Sequence, residues 1–352
     1  MPFFISPVGL ISLLHEKVCM LTKLMRAVIL NGEGDLRVSE REVPQLLPGK
    51  TLVEIAFAGI CATDREVFSG RIPGIKPQVI PGHEITGTVV AGDESDKIRI
   101  GDRVVADTVY DCRECNYCLA DSAAECSNPG ELGFTADGGW SQYVLVDTSR
   151  LHKIPDHVSF EESVITEPFV IPFGALLDSK ATIKDQRILV VGQGLAAIAF
   201  ASCAIALGAS RVEVSLRDEK RRALFTSISE KIHAVSGADV AKASADVSID
   251  SVGNTESIAT AISGVKNSGQ VICYGFSSEY ADNFPIADVV LRNIRLSGHT
   301  NSSGKWPAVI ELLSTGGIKT KGLVDRIITP EEVPDAIAHW QGNLRTVIRF
   351  KG

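Results

Sequence analysis

Arg187-Ile-Leu-Val-Val-Gly192-Gln-Gly194-Leu-Ala-Ala197 is the stretch that decides the fold. Its unbroken apolar run reads as a strand covered on both faces in a parallel sheet. Glycines follow at once, and an alanine-rich helical segment continues to about Leu207. In such a strand–turn–helix the first glycine permits the tight turn and the second lets a pyrophosphate approach the helix N-terminus. A small third residue lets helix and strand pack closely. Gly192, Gly194, Leu195 and Ala197 are therefore candidate dinucleotide-binding residues.

Downstream the text alternates: a strand Val212–Ser215, a basic helix from about Glu219, a strand Val247–Ser251, a helix over about Glu256–Val265, and strands Gln270–Tyr274 and Ile294–Ser297. Upstream, a helix is expected from about Ile171 to Ser179. The alternation predicts right-handed βαβ units in a doubly wound parallel sheet. Between Met25 and Val146 the style differs. Short β-rich runs (Ala27–Leu30, Leu52–Ala56, Gly87–Val90, Arg103–Ala106, Tyr143–Val146) are broken by Gly and Pro, the pattern of a compact, largely antiparallel barrel-like unit. The tail from Leu323 to Lys351 returns to strand and short-helix text and is expected to fold back onto that first unit. The expected organisation is an extension over 1–24, a barrel-like domain from 25–175 with 310–352, and a dinucleotide-binding domain over 176–309. The extension lacks a basic stretch before its apolar run and a small-residue cleavage site, so it reads as dispensable, with Met20 and Met25 as alternative starts to Met1.

A length of 352 residues suits about two domains, and 45% apolar with 22% charged residues is ordinary for a soluble globular chain. Lys plus Arg total 35 against 43 acids, a net charge of −8, and no basic run offers a footprint for nucleic acid or an anionic membrane. Neither partner is expected. Of the eight cysteines, Cys112, Cys115, Cys118 and Cys126 fall within fifteen residues. Such clustering in a chain of this size points to metal in a reducing cytoplasm rather than to disulfides.

The cluster reads C-x2-C-x2-C-x7-C. That spacing lets one loop wrap a tetrahedral cation in four thiolates, leaving no open position, so the expected site is structural zinc, with iron–sulfur as the alternative. A second set gathers around Cys61 and Pro81-Gly82-His83-Glu84. One thiolate, one imidazole and carboxylates form a donor set suited to zinc with a vacant position, as Lewis-acid catalysis requires.

Together these residues resemble the zinc-containing medium-chain alcohol/polyol dehydrogenases, the sorbitol, threonine and sugar dehydrogenase branch above all. The resemblance runs from about Met25 to the C-terminus. It rests on Cys61-Ala-Thr-Asp64, Gly82-His-Glu84, the four-cysteine loop, Thr166-Glu-Pro168, Val191-Gly-Gln-Gly194, Asp250-Ser-Val-Gly253 and Val347-Ile-Arg-Phe350. It implies an α/β protein with a barrel-like (GroES-like) β-rich catalytic domain and a Rossmann doubly wound parallel sheet. Two zinc ions per chain, NADP or NAD, and a homodimer or homotetramer are implied with it. Carried over by position, Cys61 and His83 would be zinc ligands, Glu84 a ligand or near-ligand, and Glu167 the last ligand, directly or through water. Asp64 would hold His83, and Thr63 would take the substrate hydroxyl proton as hydride passes to the nicotinamide.

Two positions depart from the family pattern. Where many relatives carry a histidine five residues after the ligating cysteine, this chain has Glu66, either a proton relay or a solvated carboxylate. At the end of the second Rossmann strand, where NAD enzymes place an acid, stands Leu216, followed by Arg217 and then Lys220, Arg221 and Arg222. This favours NADP through Arg217 and Arg222, while Asp218 leaves NAD open. The expected activity is oxidation of a secondary alcohol on a polyol, sugar or cyclitol, or reduction of the matching ketone. Pro129-Gly-Glu-Leu-Gly-Phe-Thr135 resembles aminocyclitol dehydrogenases of antibiotic pathways. The alternatives are a zinc-free quinone or enoyl reductase on the same scaffold, and a zinc-stabilised nucleotide-sensing or structural protein without turnover.

Overall fold

The computed structural model describes residues 24–120, 125–275, 283–300, 304–340 and 342–350. The extension up to residue 23, with Met1 and Met20, lies outside them, and Leu24 already opens the first strand, Leu24–Gly32. The packing divides the chain into two units at 164/165 and at 323/324.

The second unit is built around Arg187–Val191. Ile188 lies between Val212 of strand Arg211–Leu216 and Val247 of strand Ala245–Asp250. Strand Ile232–Ser236 flanks one side, and Val265–Cys273 followed by Arg295–Gly298 the other, all parallel. Numbered within the unit, the six strands stand 3-2-1-4-5-6, the order of the dinucleotide-binding sheet. Ile188, Leu189 and Val190 are fully buried, as the apolar run requires. Helix Leu195–Ala206 is buried around most of its circumference. Its alanines let it sit between the sheet and helix Glu167–Asp178.

That contact also moves a boundary. The sequence places the breaks at 175/176 and 309/310, whereas helix Glu167–Asp178 packs on Leu195–Ala206 and helix Trp306–Ser314 packs on it in turn. Both helices therefore belong to the second unit. Helix Glu167–Asp178 starts ahead of the expected Ile171 because Pro168 lies in its first turn, where a missing N–H breaks no helical bond.

In the first unit, strand Lys50–Ile60 is the spine. It pairs antiparallel with Ile85–Gly92, with Tyr143–Asp147 and with the C-terminal Thr346–Arg349, so the tail folds back as expected. Arg103–Ala106 and Leu151–Lys153 continue beyond Ile85–Gly92. Leu24–Gly32 forms a separate hairpin with Asp35–Glu42. No helix among the described residues is long and apolar enough to cross a membrane.

Candidate active site

Strand pairing brings the candidate ligands together. Cys61 follows the spine strand and caps helix Ala62–Phe68, while His83 and Glu84 immediately precede strand Ile85–Gly92. Ala58 stands opposite Ile85, and Gly59 N donates to Glu84 O at 2.8 Å. The antiparallel register thus sets the end of one strand beside the start of the other. A thiol sulfur, an imidazole nitrogen and a carboxylate oxygen from Cys61, His83 and Glu84 all lie within 4.8 Å of one another. Thr63 Oγ1 is 3.6 Å from Cys61 Sγ.

Asp64 bonds the Cys61 backbone and faces the His83 ring. Its Oδ2 accepts from Cys61 N at 2.7 Å, and its Oδ1 lies 3.6 Å from His83 Nδ1. Turning Nδ1 to a carboxylate leaves Nε2 as the donor for a metal. Burial raises the Asp64 carboxyl to about 6, against the opposing pull of His83. Burial works to lower the His83 pKa, but the Asp64 carboxylate and Cys61 overcome it and hold the imidazole well above its ordinary range.

Glu84 is fully buried, and its Oε2 has no hydrogen-bond partner among the described residues. Its Oε1 lies 2.9 Å from Nη1 of buried Arg345, which donates to Ile60 O at 2.7 Å. A carboxyl group sealed from water with one oxygen unmatched is expensive, unless a cation takes that oxygen. The donor set therefore fits zinc. Sequence reasoning does not find Arg345; its signal is a lone arginine at the mouth of an apolar closing strand. Gly59 is also missed: a Cβ there would stand 2.0 Å from Glu84 Oε2. The indole Nε1 of Trp140 donates to Gly59 O at 3.0 Å, and a Cβ on Gly82, whose φ is +99°, would strike that ring at 2.2 Å. Glu66 is bound to Arg71 by two hydrogen bonds of 2.6 and 2.7 Å, and the Arg71 guanidinium holds its carboxyl below the usual range. It is an ion-paired carboxylate. Glu167 opens its helix in the second unit.

The four clustered cysteines converge as their spacing requires. Their Sγ atoms lie 3.4 Å (Cys115–Cys118), 3.9 Å (Cys112–Cys118) and 4.0 Å (Cys115–Cys126) apart. Those values bracket the ~3.8 Å edge of a tetrahedron with sulfur ~2.3 Å from its centre, and far exceed the ~2.05 Å of a disulfide. Backbone amides of Cys112 and Asn128 point at Cys126 Sγ at 3.3 and 3.4 Å. Amides of Cys118 and Ser127 pull the Cys115 thiol down to about 5, whereas burial and neighbouring sulfurs push Cys118 up to about 12. A cation would hold all four sulfurs together at these separations.

In the second unit Gly192 has φ +134°, and a Cβ on it would meet Ser251 Oγ at 2.2 Å. That hydroxyl donates to Val191 O at 2.8 Å. Asp250 Oδ1 accepts from Val252 N and Gly253 N at 2.9 and 3.0 Å, which folds the Asp-Ser-Val-Gly turn against the glycine turn. Gly194 caps helix Leu195–Ala206, and a Cβ there would meet nothing within 4 Å. The open space lies in front of a helix N-terminus, where a pyrophosphate fits. Leu195 and Ala197 are buried packing residues whose contribution is backbone position. Two expected contacts are corrected. Leu216 is a core residue, and Arg222 is taken up by Glu219, at 2.6 and 2.9 Å, and by the Ala234 carbonyl. Arg217 is exposed.

The alcohol dehydrogenase GroES-like domain family matches residues 47–156, and the zinc-binding dehydrogenase family matches residues 192–315. Sorbitol dehydrogenase of Bombyx mori is 27% identical over 86% of this chain and 90% of its own length. D-arabitol-phosphate dehydrogenase of Enterococcus avium is 26% identical over 88% and 91%. A solved structure described as a zinc-binding dehydrogenase from Sinorhizobium meliloti 1021, bound to NADP, superposes with a TM-score of 0.86 at 25% identity, covering 93% of this chain and all of that one. With the two family matches lying in order along the chain, it belongs to the zinc-containing medium-chain alcohol dehydrogenase family.

Proposed function

We propose that this zinc-dependent oxidoreductase interconverts a secondary alcohol of a polyol, sugar or cyclitol with its ketone, using NADP in preference to NAD. The carrying observation is the gathering of Cys61, His83 and Glu84 donor atoms within 4.8 Å, with Glu84 Oε2 buried and unmatched. Cys61, His83, Glu84 and, directly or through water, Glu167 would hold the catalytic zinc; Cys112, Cys115, Cys118 and Cys126 would hold a second, structural one. When bound, zinc supplies Lewis acidity toward the alcohol oxygen and the nicotinamide supplies the hydride acceptor. Asp64 keeps the His83 ring oriented. Thr63, beside Cys61, takes the substrate hydroxyl proton. Arg345 holds Glu84 while leaving one carboxylate oxygen available. The names of the sorbitol and arabitol-phosphate relatives support the polyol class.

The test is a panel of polyols, sugars, cyclitols and simple secondary alcohols, each with NAD and NADP, followed by reduced-nicotinamide absorbance. Reduction of cofactor by several vicinal polyols, fastest with NADP, is expected. Turnover confined to simple alcohols removes the polyol assignment, and a kcat/KM ratio for NADP over NAD below one removes the cofactor preference.

The protein acts in the cytoplasm on a small molecule, as a homodimer or homotetramer. Ile286, Val290 and Leu291 on helix Ile286–Leu291, and Leu296 on edge strand Arg295–Gly298, are exposed together, and Leu291 is 81% exposed. Exposed apolar side chains on a helix and an unpaired sheet edge call for a partner, and a second copy supplies one. Leu291→Lys combined with Leu296→Lys is expected to convert an oligomer to a monomer by light scattering. A wild-type monomer, or a double variant that stays oligomeric, overturns this edge as the interface.

A further inference from the structure

We propose that Gln193, the residue between the two glycines, is the positioning residue that sets discrimination at the 2′ position of the adenosine ribose. This rests on the dinucleotide reading of the glycine turn. Gln193 Oε1 accepts two backbone hydrogen bonds from the end of the second strand, from Arg217 N at 2.9 Å and Asp218 N at 2.8 Å. Its backbone carbonyl accepts a third, from Arg221 Nη1 at 3.3 Å. Gly192 N adds a fourth tie, to Ser215 O at 3.3 Å. One side chain thus binds the pyrophosphate turn to the strand end that meets the ribose in this fold.

Two consequences follow. Both strand-end amides are taken by the protein, so neither is left to receive a ribose hydroxyl. The main chain at 217–218 is also fixed, and with it the directions of two side chains. Asp218 Oδ1 accepts from Lys220 N at 3.0 Å, capping the next turn. Arg222 is occupied by Glu219 and the Ala234 carbonyl. The Arg217 guanidinium, by contrast, has no hydrogen-bond or ion-pair partner among the described residues and is exposed directly beside the amide that Gln193 holds. A guanidinium presents paired donors to a phosphate and gains far less from a hydroxyl. Gln193 therefore acts through Arg217: it touches neither reacting atom nor phosphate, and it decides where the phosphate-seeking cation stands.

The experiment titrates the full chain with 5′-AMP and with adenosine 2′,5′-bisphosphate by calorimetry, in wild type, Gln193→Met, Arg217→Met and the double variant. Wild type is expected to bind the bisphosphate about tenfold more tightly than 5′-AMP, the scale of one charge-assisted contact. Gln193→Met, of similar length but without the acceptor, is expected to lose most of that advantage while 5′-AMP affinity changes less than about twofold. In steady state KM for NADP rises and KM for NAD does not. The double variant should be no worse than Arg217→Met alone, because both changes remove one contact. Equal weakening of both nucleotides by Gln193→Met would make the residue a general brace and overturn the proposal, as would losses that add in the double variant. A wild type that binds the two nucleotides equally overturns the proposal and leaves the dinucleotide site standing. A wild type that binds neither removes both.

Discussion

Cys61→Ala is expected to lower kcat on the order of 10³-fold or more, with loss of one zinc per chain, while 5′-AMP affinity stays within about twofold. The thiolate is the only sulfur donor in the Cys61–His83–Glu84 set, and its removal leaves an imidazole and a carboxylate already paired with Arg345. Nucleotide binding is spared because the glycine turn belongs to the other unit. Asp64→Asn is expected to cost less, about 10–100-fold, since it disturbs the orientation of His83 and leaves the donor atoms in place. Thr63→Ala should lower kcat strongly, and Thr63→Ser should restore much of it, because a hydroxyl is all the proposed proton transfer needs. The measurements are zinc content, kcat on the best alcohol of the panel, and nucleotide titration. Full turnover by Cys61→Ala with unchanged zinc content would return the chain to the zinc-free quinone or enoyl reductase alternative.

What the sequence made legible followed the strength of each local signal. Arg187–Val191 and its helix emerge almost at their expected ends, because a doubly covered strand and a glycine turn both leave strong marks. Strand Ile232–Ser236 is not anticipated at all. Lying at the sheet edge, it carries His233 and Ser236 within a short apolar run, and Gly237 marks only its end. Asp35–Glu42 hides for a similar reason, since most of its side chains are charged and its hairpin partner supplies the apolar face. The donor set was readable because Cys, His and Glu advertise metal chemistry. Arg345 and Gln193 were not, because each acts through a partner remote in sequence: Arg345 lies next to Glu84 only after the C-terminal strand pairs with Lys50–Ile60, and Gln193 reaches Arg217 only through the parallel pairing of two strands. Pattern can name a residue type, but only topology can give it a neighbour.

Cys115→Ser is expected to remove a different zinc, and to show first as lost structure. Among its described residues, the loop between strands Val109–Tyr110 and Gly130–Glu131 has almost no core of its own: its short helix Asn116–Leu119 buries no residue, and Leu119 is 73% exposed. Ion pairs among the described residues tie the loop's first residues to the protein: Asp111 to Arg150 at 2.6 Å and Arg113 to Asp147 at 3.6 Å. With so little apolar burial to offset chain entropy, the order of this loop must come from the cation. Replacing one thiolate by a hydroxyl exchanges a soft anionic ligand for a neutral, weak one. The expected cost is on the order of several kcal/mol, a fraction of what structural zinc contributes in isolated domains. The variant should lose one metal per chain, become open to protease within the loop, and unfold at a lower temperature, while the Cys61 site keeps its zinc. A mild chelator should reproduce these changes in the wild type, and added zinc should reverse them. Wild-type metal content and protease resistance in Cys115→Ser would mean that backbone packing holds the loop and that the four thiols are not a metal site. Metal analysis that finds iron in place of zinc would retain the tetrathiolate geometry and turn the site to the iron–sulfur alternative, since four sulfurs at these separations suit either ion.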